Sequence, residues 1–128
     1  MQAIRDYNQV IRRRPKSVDA YRQRGTAYCL MRQYDRAITS YDQAIKLNPD
    51  YAKLYFLRGH VYKVRNQGSR YKNKDDYKIA IADYTKAIEL IPDNANFYKK
   101  RGKVYLLNWD FAKALADYWK AFRLRGRS

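Results

Sequence analysis

Residues 21–28 read YRQRGTAY, residues 55–62 read YFLRGHVY and residues 98–105 read YKKRGKVY. The frame Y-x-x-R-G-x-x-Y is held three times while the letters inside it change. Tyr21, Gly25 and Tyr28 stand at i, i+4 and i+7, which puts them on one face of an α-helix. A glycine between two tyrosines lets a second helix approach closely. The frame therefore predicts a helix packed tightly on a neighbour, three times over.

A second pattern follows each frame. Ala37-x-x-x-Tyr41-x-x-Ala44 leads to Pro49, Ala80-x-x-x-Tyr84-x-x-Ala87 leads to Pro92, and Ala114-x-x-x-Tyr118-x-x-Ala121 leads to Gly126. An orphan copy opens the chain as Ala3-x-x-x-Tyr7-x-x-Val10, then Pro15. Copies recur every 34 residues, apart from one interval of 43. Ala37, Ile38, Tyr41, Ala44 and Ile45 form an apolar helical stripe, and Asn48-Pro49-Asp50 stops it because proline cannot continue a helix. The pattern predicts seven helices, at about 2–14, 18–31, 34–47, 52–65, 77–90, 95–108 and 111–124. Each pair has an apolar face that only a stacked neighbour can bury.

On these residues the chain resembles the tetratricopeptide repeat family, whose 34-residue unit carries an aromatic, Leu-Gly and Tyr, then Ala-x-x-x-Phe and Pro. Arg-Gly replaces Leu-Gly here, and Tyr replaces Phe, an RG-type variant. The resemblance implies an all-α, right-handed superhelical solenoid of antiparallel helix pairs. It divides the chain into a half repeat over 1–16 and repeats over 17–50, 51–93 and 94–128. The middle repeat holds an inserted loop at about 66–76. The repeated arginines suggest struts: Arg58 to Asp83, Arg101 to Asp117, and Arg24 to Asp42 or Asp6, since Ser40 stands where its acid would be.

Charge narrows the partner class. Lys and Arg total 28 against 12 acids, a formal charge of +16, which favours acidic partners. Residues 18–32, 52–65 and 95–108 contribute +10 of this, with Asp19 their one acid. In the family these first helices line a concave groove, so the resemblance implies a basic groove. Its expected contacts are Arg22, Thr26, Lys53, Phe56, His60, Lys63, Lys99, Lys100 and Lys103, with Cys29 and Leu106 completing the stripe. One family mode holds a peptide's terminal carboxylate in a clamp of Lys, Asn, Asn, Lys and Arg. Thr26, His60 and Lys103 occupy one place of that clamp, and Gln23 and Leu57 stand where its second Asn is sought, so the clamp is not reproduced.

The insertion, NQGSRYKNKDD at 66–76, reads as a loop from Gly68 and Ser69, made basic by Arg70, Lys72 and Lys74. Asp75 and Asp76 suit the start of the next helix. At the ends, Tyr7 and Val10 lack a preceding helix, while Leu115, Trp119 and Phe122 lack a following one. They are expected to form a cap or oligomer interface, or to mark a fragment of a longer array. A lone Cys29 excludes an intrachain disulfide and suits a cytoplasmic setting. His60 is the only histidine, so no clustered-histidine metal site is expected, and no phosphate loop or nucleophile constellation points to a cofactor or an enzyme. The resulting expectation is a non-catalytic protein–protein interaction scaffold for an acidic segment. RNA or single-stranded nucleic-acid binding through the same groove, and self-assembly into a homo-oligomer through open ends, are the alternatives.

Overall fold

The proline that closes each helix pair also anchors the helix that follows. In the computed structural model, which describes residues 2–68 and 73–126, the hydroxyl of each frame-opening tyrosine donates to a proline carbonyl six residues earlier. Tyr21 reaches Pro15 at 3.2 Å, Tyr55 reaches Pro49 at 2.7 Å and Tyr98 reaches Pro92 at 2.8 Å. Carbonyls in such turns have no helical partner, so the bond satisfies an otherwise orphaned acceptor and fixes the angle between successive units.

Seven helices and no strand are present among the described residues: α1 (Gln2–Arg13), α2 (Val18–Leu30), α3 (Tyr34–Leu47), α4 (Ala52–Gly68), α5 (Lys74–Leu90), α6 (Ala95–Leu107) and α7 (Phe111–Arg125). The most extensive packing joins α2 to α3, α4 to α5 and α6 to α7, and successive pairs stack through α3 on α4 and α5 on α6. The chain is therefore an all-helical solenoid of hairpin units, with α1 as an unpaired leading helix.

Glycine sets the closeness within each pair. A Cβ on Gly25 would stand 2.7 Å from the Tyr41 ring, inside any tolerable contact. The same place in the next units brings Gly59 against Asp83 and Tyr84, and Gly102 against Asp117, with a Cβ at 3.1–3.2 Å from the nearest atom. Ala37, Ala44, Ala80 and Ala87 are fully buried beside Tyr41 and Tyr84. Small residues admit the large rings and the helices interlock at native density. Between units, Ile38 and Tyr41 meet Val61, while Phe97 joins a cluster that Ala52, Tyr55, Ala87 and Ile88 form within the middle pair.

Helix ends follow local chemistry. Ser17, Asn73, Asn94 and Asp110 cap α2, α5, α6 and α7, each side chain accepting from a backbone N–H of its first turn. The turns inside the first and third pairs pass through a left-handed residue, Arg32 at φ 61° and Trp109 at φ 64°. The middle pair departs from the sequence reading. Its inserted residues lengthen both helices instead of forming one long loop: α4 runs on to Gly68 and α5 starts at Lys74, three residues before the expected Tyr77. The cause is a polar lock. Arg65 pairs with buried Asp76 at 2.6 Å, and buried Asn66 accepts from the Asn73 N–H at 2.6 Å. The expected loop residues Ser69, Arg70 and Lys72 lie outside the described residues.

Candidate functional site

The cations of the first helices α2, α4 and α6 divide into two populations. The frame arginines are tied inward. Arg58 forks onto Asp83, with Nε at 3.0 Å and Nη2 at 2.8 Å, and its Nη1 crosses to Asp42 of the preceding unit at 2.8 Å. Arg101 forks onto Asp117 at 2.7–2.8 Å and reaches Thr85 at 3.2 Å. Arg65 repeats the scheme one hairpin turn away, bridging Asp76 and Asp35. Each such arginine clamps its own second helix and the one before it, and paired carboxylates hold the Arg58 and Arg65 guanidiniums firmly in the charged form. Each frame arginine also lies over the ring of its frame-opening tyrosine at 5.3–5.7 Å.

The expected Arg24 pairing with Asp42 or Asp6 is not formed. Arg24 donates instead to Ser40, Asn8 and Gln43 at 2.7–3.0 Å, and Asp42 is taken by Arg58. Neutral oxygens occupy the places that acids hold elsewhere, and they satisfy the fork without charge.

The lysines form the second population. Among the described residues no carboxylate lies in ion-pair range of Lys53, Lys63, Lys99, Lys100 or Lys103. Four cationic or titratable groups lie between α4 and α6, the first helices of successive pairs. Phe56 and Phe97 join these helices, their rings 5.0 Å apart. One and two turns further along α4 come His60 and Lys63, and along α6 come Lys100 and Lys103, each pair at i, i+3 on one face. Lys63 is only 5% exposed. Burial together with Lys103 and Lys100 pushes its ammonium down to about 8. Burial and the same two lysines with Lys63 lower the His60 imidazole below its ordinary value. The space between α4 and α6 thus holds a partly desolvated positive charge that no carboxylate among the described residues pairs with.

The other expected groove residues lie apart from this cluster. Arg22 is paired with Asp19 on its own helix, and its Nε is buried without an acceptor among the described residues. The Thr26 hydroxyl meets the Tyr41 hydroxyl at 2.8 Å, a packing role. Phe56 is half-buried between Tyr84 and Phe97 and serves the unit interface. Cys29 is half-buried in the α2–α3–α4 core, which raises its thiol. Lys53 is exposed at the start of α4. Lys99 lines a separate cleft of about 510 Å³ at the α6–α7 end, with Asn96, Tyr118 and Phe122. Arg22, Thr26, Ala3 and Tyr7 line one of about 280 Å³ at the α1–α2 end. The expected stripe is therefore not continuous: His60, Lys63, Lys100 and Lys103 are electrostatic neighbours, while Lys99 lies toward one end and Arg22 and Thr26 toward the other.

Those ends are apolar. Leu115 is 72%, Phe122 67% and Trp119 58% exposed, with Trp119 and Phe122 stacked at 5.7 Å. Val10 is exposed and Tyr7 half-buried on α1. Sequence reading missed the tyrosine–proline bond, although proline stands six residues before the tyrosine in all three frames. It also counted Arg65 in the charge of the first helices without giving it a partner, because no other repeat has an equivalent of its lock. No group of three or more metal-ligating side chains occurs among the described residues, and none of their helices is long and apolar enough to cross a membrane.

Comparison with known proteins agrees with this architecture. No curated protein sequence matches the chain significantly. Solved structures do. A crystal structure of MamA superposes with a TM-score of 0.86 at 24% identity, covering 97% of this chain and 67% of that one. MamA from Desulfovibrio magneticus RS-1, residue 41 to its end, gives 0.86 at 20% identity, covering 99% and 67%. MamA MSR-1 gives 0.78 at 18% identity, covering 97% and 66%. The chain spans about two thirds of the length of these structures, and the likeness is one of fold. A TPR repeat model matches residues 25–63 and 68–108, and a second tetratricopeptide repeat model matches residues 6–39. With most of its length matched, and with the tyrosine, glycine and alanine positions packed as described, the chain belongs to the tetratricopeptide repeat family.

Proposed function

We propose that the chain is a non-catalytic scaffold that binds an acidic segment of a partner protein along the lysine-bearing side of its first helices. The carrying observation is the division of cations: the frame arginines are tied inward, whereas among the described residues Lys53, Lys63, Lys99, Lys100 and Lys103 have no acid in ion-pair range. Opposite charges on a partner gain most where no internal pair must be broken. The test compares Lys53→Glu/Lys99→Glu/Lys103→Glu with a second-helix control, Lys46→Glu/Lys78→Glu/Lys86→Glu. Both are titrated with a fluorescent glutamate–aspartate peptide at physiological salt. The first-helix variant should lose about tenfold or more in affinity and the control little, since each exposed pair is worth up to about 1 kcal/mol. Equal losses would contradict the reading.

Self-assembly is a second reading, favoured by the exposed Leu115, Trp119 and Phe122 on α7. Contiguous exposed apolar side chains of this kind mark interaction surfaces. Light scattering over a hundredfold concentration range should show the average mass rising, and Trp119→Glu should abolish the rise. A concentration-independent monomer excludes this reading.

A further inference from the structure

We infer that the cations lying between α4 and α6 form a receptor for a phosphate monoester, carried on a serine, threonine or tyrosine of the partner segment. This rests on the scaffold reading above and names the ligand chemistry of one place within it.

Three features carry the inference. The first is proximity. His60 and Lys63 of α4 and Lys100 and Lys103 of α6 lie near enough to act on one another's charge, one and two turns from the place where Phe56 and Phe97 bring the two helices together at 5.0 Å. A carboxylate brings one negative charge and two oxygens. A phosphate monoester brings nearly two charges and three strong acceptors, matching three ammonium groups and an imidazole.

The second is internal imbalance. Cations drawn out of water are ordinarily paired, yet Lys63, 5% exposed as a residue, has Lys100 and Lys103 as its charged neighbours and no carboxylate in ion-pair range among the described residues. The same two lysines and Lys63 face His60. Like charges held together cost stability unless a counter-charge joins them, and the unit already uses acids freely where it needs pairs, at Asp83 and Asp117. The lowered basicity of Lys63 and His60 is what an anion would reverse.

The third separates the monoester from a nucleic-acid backbone. A phosphodiester carries a single charge per phosphate, and single-strand binding adds aromatic platforms for bases. The tyrosine flanking this cluster, Tyr62, is half-buried and covered by Arg65 at 5.1 Å. Among the described residues the exposed rings, Trp109, Phe111, Trp119 and Phe122, belong to the α6–α7 turn and to α7.

The experiment uses two peptides of one sequence, acidic residues flanking a central serine, one phosphorylated and one not. Their affinities for the full chain are measured at pH 7 and physiological salt. Inorganic phosphate and a twelve-nucleotide RNA serve as further probes. The expected result is phosphopeptide binding at least about tenfold tighter than the free-serine peptide and than inorganic phosphate. Lys103→Gln, at an exposed position, and Lys63→Met should each bring the two peptides within about threefold of one another. Should Lys63→Met fail to fold, the Lys103→Gln titration and the His60 ring resonances of the unmodified chain decide. The His60 pKa should rise on adding phosphopeptide and stay put with the free-serine peptide. Equal binding of both peptides overturns the phosphate receptor while leaving the acidic-segment scaffold standing. Failure of both peptides to bind overturns both. Inorganic phosphate binding as tightly as the phosphopeptide removes the partner segment from the assignment, and RNA binding as tightly replaces it with a polyanion site.

Discussion

Tyr41 and Tyr84 occupy the same place in successive units and are both buried, yet their hydroxyls differ. The Tyr41 hydroxyl meets Thr26, whereas the Tyr84 hydroxyl has no partner among the described residues and burial pushes it well above the ordinary phenol range. The letter that changes between the units, Thr26 to His60, marks the difference. Thermal or urea unfolding should show Tyr41→Phe destabilising by about 1 kcal/mol, and Tyr84→Phe neutral or stabilising by a similar amount. The opposite order would mean that the Tyr84 hydroxyl is bonded. Arg58 and Arg24 make a parallel contrast. Removing Arg58 strands the buried Asp83 carboxylate, so Arg58→Leu should cost about 3–5 kcal/mol. Arg24→Leu strands only neutral Ser40, Asn8 and Gln43 and should cost about 1–2 kcal/mol. Equal losses would mean that charge is not what holds the units.

At the scale of the helix, α4 carries both the strongest struts and the least comfortable cation. Lys63 in the folded chain loses its proton near 8, against 10.5 when unperturbed. Between those values the unfolded chain holds a proton that the folded one does not. Raising the pH through that window therefore stabilises the fold, and below it the charged, crowded ammonium opposes folding. The stability difference between Lys63→Met and the unmodified chain should favour the variant by about 2–3 kcal/mol at pH 7 and shrink toward pH 10. A difference that does not change with pH would show that Lys63 reaches solvent. The sequence revealed the elements well where a repeat could be compared with its copies. The Arg58–Asp83 and Arg101–Asp117 pairs were legible because Arg, Gly and Asp recur at fixed offsets. The α4–α5 turn was not, because inserted residues have no copy. Its Gly68 and Ser69 read as loop, while Arg65, Asn66 and Asp76 lengthen the helices by contacts between residues far apart in the frame.

For the whole molecule, helical periodicity placed the basic residues on α2, α4 and α6, but it did not sort them. Arginine and lysine count equally in net charge. Only the facing helices show that the forked guanidiniums are tied to second-helix carboxylates while the lysines are left over. Nor could spacing within one helix show that Lys100 and Lys103 come near His60 and Lys63, since that depends on how successive pairs stack. Binding at such a cluster should weaken as salt rises, with the buried Lys63 contact screened less than the exposed ones. The most direct measurement is an NMR chemical-shift map of the isotopically labelled chain during titration with the acidic peptide. Shifts concentrated on His60, Lys63, Lys100, Lys103 and their neighbours on α4 and α6 are predicted. Shifts confined to α3, α5 and the exposed face of α7, with α4 and α6 unmoved, would contradict the account.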